Sequence, residues 1–69
     1  MNVGDVIIVI PSFRLYEMQL GPLVRHNMKI KEIVVSENGK ITGCVASLFD
    51  ETLNGKKEWF VPYESIFMI

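Results

Sequence analysis

Trp59-Phe60-Val61-Pro62-Tyr63-Glu64-Ser65-Ile66 is the stretch whose reading decides the fold. Trp59 and Val61 alternate with Phe60, so both parities are apolar, which suits a strand covered on both faces. Pro62 has no N–H to give a ladder and biases Val61 towards extended geometry, so the strand is expected to end at Val61. Tyr63-Glu64-Ser65 leaves room for one tight turn, and Ile66 to Ile69 is apolar again. The stretch reads as strand, proline turn, closing strand.

Upstream, a third and a fourth strand are expected over Ile41 to Phe49 and Lys56 to Val61, joined by a polar connection that ends in Asn54-Gly55. Gly43, Ala46 and Ser47 are small residues inside the third strand, where they permit close backbone approach. Asn38-Gly39 marks a tight hairpin before it, because both residues tolerate positive φ. Met28-Lys29-Ile30-Lys31 alternates apolar and basic, but Ile33 and Val35 have the opposite parity. A bulge or bend near Glu32 reconciles the two halves of this second strand. Val6 to Ile10 is a β-branched run apolar at every position, the strongest strand signal, and is expected to be covered on both faces. Between it and the second strand, Phe13 to Asn27 reads as a long loop, a bent hairpin with Leu20-Gly21-Pro22 at a turn.

Two of these segments carry a resemblance. The pattern aromatic-Phe60-Val61-Pro62-x-x-x-Ile66 resembles the C-terminal signature of Src-homology-3-like small barrels, where a strand meets a proline, one helical turn and a closing strand. Val3-Gly4-Asp5-Val6-Ile7-Ile8-Val9 resembles the hydrophobic-Gly-Asp-x-Val-x-Val opening of bacterial members of that superfamily. The resemblance implies an all-β, five-stranded small barrel, with a long loop after the first strand and a short helical turn before the last. In its peptide-binding members, loop aromatics and the turn proline line a groove for proline-rich ligands. By position, that carries to Tyr16, Pro62 and Tyr63. The alanine-leucine-tyrosine-aspartate-tyrosine motif and the tandem tryptophan of those members are absent, and Ser65 stands where they have a tyrosine. The seven aromatics are expected to lie mostly in the core.

At 69 residues the chain makes one domain, residues 1–69, near the lower limit for folding without staples. Its hydrophobic content of 49% exceeds what so small a core absorbs, so exposed apolar side chains or a covering partner are expected. Seven basic residues against eight acidic ones give a net charge of -1, and no global field recruits nucleic acid or anionic lipid. A single cysteine, Cys44, excludes an internal disulfide framework and a cysteine-based zinc site. The N-terminus does not read as a signal peptide, and no apolar run reaches the roughly 20 residues that span a bilayer. A soluble, cytoplasmic protein is the expectation.

No motif for nucleophilic, metal or phosphate chemistry is present, so no enzyme, metal or cofactor is expected. Cys44 reads as a small core hydrophobe and His26 as a loop residue rather than a nucleophilic pair. The leading expectation is a binding module for protein–protein interaction or self-association, through loop 13–27 and the surface near Tyr16, Pro62, Tyr63 and Phe67. The closing strand alternates, so with Ile66 inward, Phe67 faces outward on an edge. The alternative is nucleic-acid binding through Arg14, Arg25, Lys29 and Lys31, the last three in a stretch free of acids between Met18 and Lys31, with Phe13 and Tyr16 nearby to stack.

Overall fold

A computed structural model describes all residues 1–69. Five antiparallel strands form one sheet in the order β4-β3-β2-β1-β5: β1 Val6–Val9, β2 Asn27–Val35, β3 Ile41–Leu48, β4 Glu58–Pro62 and β5 Ile66–Met68. The fold is all-β with little helix, and the two edges of the sheet are β4 and β5. The main hydrophobic core lies against one face of the sheet; on the other, Gly43, Ser47 and Pro62 of β3 and β4 are also buried. Cross-strand rows make this visible: Ile7, Met28 and Leu48 lie side by side and are buried, as are Ile33, Cys44 and Val61 further along, with Ile33 half-covered. Leu15, Leu20 and Leu23 from the β1–β2 connection complete the core. Each fully buried aliphatic side chain here contributes about 1.5–3 kcal/mol relative to exposure.

β1 is not buried on both sides. Ile7 and Val9 are buried, Val6 is exposed and Ile8 is half-buried. The all-apolar run of β1 therefore leaves hydrophobic side chains on the outer surface. Trp59 and Phe60 are likewise only half-buried, since β4 is an edge. The strand also continues through Pro62, opposite Gly43, rather than ending at Val61. An edge strand needs ladder hydrogen bonds on one side only, so the missing N–H of proline is tolerated there.

The connection between β1 and β2 is not a bent hairpin. It contains α1, Phe13–Glu17, followed by a 3-10 turn at Gly21–Leu23. Ser12 caps α1: its backbone is extended and its hydroxyl accepts a hydrogen bond from the Leu15 N–H at 3.1 Å. Leu15 anchors the helix in the core, and Gln19, at φ 61, turns the chain away after it. Capping and one buried leucine stabilise a helix too short to stand alone.

The expected irregularity near Glu32 is present as a register shift between Ile30 and Glu32. Ile30 is also tied to the N-terminal turn, where Gly4 N–H donates to its carbonyl and its own N–H donates to Asp5 O. The two Asn-Gly pairs form different turns. At Asn38-Gly39 only Gly39 has positive φ, and its N–H closes on Ser36 O at 2.9 Å across a three-residue loop. At Asn54-Gly55 both residues have positive φ, 53 and 75, inside a tight Leu53–Lys56 bridge. The two-residue geometry expected of the first pair belongs to the second. Tyr63–Ser65 is a 3-10 turn leading into β5, as the sequence indicates.

Candidate binding surfaces

Alternation along β5 sets the first surface. Val9 pairs with Ile66, Ile8 with Phe67 and Ile7 with Met68, so Phe67 shares the outer face with Ile8. Phe67 is 56% exposed and Ile69 is 75% exposed. Val6, two residues before Ile8, extends the strip along β1. The backbone of β5 is paired on its β1 side only. Ile10 N–H donates to Ser65 O, which places the hydrogen-bonded pairs of this ladder at Ile10–Ser65 and Ile8–Phe67. The N–H and C=O of Met68 consequently point to the open side. An apolar strip thus runs beside an edge with free hydrogen-bonding groups.

The other aromatic candidates are dispersed. Tyr16 and Tyr63 are exposed, on α1 and on the 3-10 turn before β5. The ring of Tyr16 lies over Gly21, where an added Cβ would approach it to 3.1 Å. Pro62, opposite Gly43, is fully buried and offers no surface to a partner. A groove built on Pro62 is therefore not formed. Phe13, Tyr16, Phe49, Tyr63 and Phe67 are all exposed, so most aromatics are outside the core rather than in it. Small size is the reason: one sheet face and one short helix leave few interior sites.

The basic candidates separate into two sets. Arg14 lies over the Phe60 ring, 5.9 Å from its centroid, so α1 spends that cation on β4. Arg25, at φ 72, sits in the connection before β2. Lys29 and Lys31, on the outer side of β2, line a concave site of about 150 Å³ together with Lys57, Ser47, Leu48, Phe49 and Asp50. The sole contact between a basic and an acidic side chain lies elsewhere, between His26 Nε2 and Glu51 Oε1 at 3.2 Å. None of the three lysines is held by a carboxylate within that distance class, although Asp50 lines the same site. Lys57 and Phe49 were not evident as site residues from the sequence. The signal was the second Asn-Gly turn, which returns Lys57 to the end of β3, where Leu48 N–H donates to Lys57 O.

Cys44 and His26 do not form a pair. Cys44 is buried among the β3 core side chains, and burial raises its thiol pKa from 9.0 to about 11. His26 instead links the Leu23 carbonyl, 3.2 Å from Nδ1, to Glu51. No group of three or more His, Cys, Asp or Glu side chains is placed to hold a metal ion. No helix is long and apolar enough to cross a membrane. No family model, curated protein or solved structure matches the chain.

Proposed function

We propose that this chain is a non-enzymatic small barrel of the Src-homology-3-like kind that meets a second copy of itself along β5. The strand order and the 3-10 turn between β4 and β5 support the barrel reading. The observation that carries the function is the open β5 edge with Phe67 outward beside Ile8. Edge-to-edge antiparallel pairing of two β5 strands satisfies the open backbone groups of both copies at once. It is isologous, as a two-fold dimer requires. The same contact covers Phe67 and Ile69, whose exposure otherwise holds apolar area against water.

The test is sedimentation of the full chain across a wide concentration range, for the wild type and for Phe67→Lys. The wild type is expected to sediment as a dimer and the variant as a folded monomer with an unchanged circular-dichroism spectrum. A wild type that remains monomeric at the highest concentration overturns the reading.

A further inference from the structure

Phosphate chemistry fits the concave site lined by β2, the end of β3 and Lys57. Lys29 and Lys31 stand two residues apart on β2 and both line the site. The register shift at Lys31 leaves that residue as the extra one opposite β3, with its side chain free of a cross-strand partner. Lys57 approaches from beyond the Asn54-Gly55 turn and closes the third side. Three lysines line the site without a salt-bridge partner, against one lining acid, Asp50. Two further acids adjoin the lysines in sequence: Glu32 follows Lys31, and Glu58 follows Lys57 opposite Ser47.

Size decides which phosphate ligand suits the site. A cavity of about 150 Å³ is small beside the roughly 300–1,000 Å³ of pockets that engulf a whole small molecule. It matches single groups of a longer ligand that continues across the surface. Phe49 lines the site and is 43% exposed, an aromatic side chain of the kind on which an unstacked base packs. A duplex keeps its bases stacked and leaves that ring unused.

We propose that Lys29, Lys31, Lys57 and Phe49 bind single-stranded nucleic acid, with backbone phosphates on the lysines and a base on Phe49. The site shares the outer face with the apolar strip, Lys29 lying opposite Val6, but includes no residue of β5, so oligonucleotide binding and dimerisation are read out separately. Arg14 and Arg25 are not part of it.

Fluorescence anisotropy with a labelled oligothymidine and an oligouridine, at several salt concentrations, tests this. Wild-type chain is expected to bind either strand at low salt more tightly than a duplex of equal length. Lys29→Ala/Lys31→Ala/Lys57→Ala is expected to lose tenfold or more in affinity. Its log–log salt slope is expected to fall by about 2, from about 0.7 per phosphate contact on single strands. A control with Lys40→Ala and Lys56→Ala keeps the wild-type slope. Phe49→Leu weakens binding with the slope unchanged, and Asp50→Asn strengthens it. Thermal melts of each variant confirm that the exposed substitutions leave the fold intact. Absence of wild-type binding at low salt overturns the proposal. So does equal loss in the control, equal binding of the duplex, or equal binding of a poly-glutamate peptide.

Discussion

Ser12 Oγ lies 2.6 Å from Ser65 Oγ, a hydrogen bond between residues 53 apart in the chain. It ties the cap of α1 to the turn that launches β5. Ser65 is fully buried and Ser12 also accepts from Leu15 N–H. Ser12→Ala removes the cap and strands a buried hydroxyl, so urea denaturation is expected to show a loss of about 1–3 kcal/mol. Ser65→Ala is expected to cost less, because the cap survives. The double variant should fall short of the summed single losses by about 1 kcal/mol. Strict additivity would mean that the two hydroxyls do not act together.

The two Asn-Gly turns should respond differently to substitution. At residue 39 only the glycine needs positive φ. Gly39→Val is therefore expected to melt below Gly39→Asn, because a β-branched residue resists that region. At the second turn both residues need it. Asn54→Val and Gly55→Val are each expected to cost about 1–2 kcal/mol. Asn38→Val is expected to cost less than Asn54→Val, and equal melting temperatures for those two would contradict the assignment of the turns.

Gly43 admits the β4 backbone and the Phe60 ring. A Cβ there would collide with Val61 O and come within 2.6 Å of the ring. Gly43→Ala is expected to destabilise by about 1–3 kcal/mol, or more if β4 detaches. An unchanged denaturation midpoint would mean that the β3–β4 approach is looser than described.

Cys44 makes stability fall in alkali. Its thiol ionises near 9.0 in the unfolded chain and near 11 in the folded one. Its contribution is complete below the unfolded value and is lost as pH climbs through 11, at up to about 1.4 kcal/mol per unit. Cys44→Ala should show a shallower loss across that interval. Identical pH profiles for wild type and variant would contradict the burial of the thiol.

Much of the architecture is legible in residue patterns. The Met28–Val35 parity switch marks the bulge, and Pro62 followed by three turn residues marks the approach to β5. α1 is less legible, because five residues are too few for a helical period to stand out. Its local signals are the loosely helical spacing of Phe13, Tyr16 and Leu20 and a serine, Ser12, at the capping position. Burial of Pro62 was not legible either, since alternation along a strand says nothing about how the sheet curls around its core. The same limit applies to the sites. Lys29 and Lys31 are visible as an alternating pair, whereas Lys57 and Phe49 join them only through the register fixed by Asn54-Gly55. Phe67 was readable as outward because parity within a strand is local.

The dimer along β5 is tested most directly by hydrogen exchange at the Met68 amide, measured in dilute and in concentrated wild-type protein. That N–H points to the open side of β5, so it exchanges freely in a single copy and is covered only by a second strand. The account predicts protection at Met68 that grows with concentration and disappears in Phe67→Lys. Fast exchange at Met68 at every concentration would contradict it.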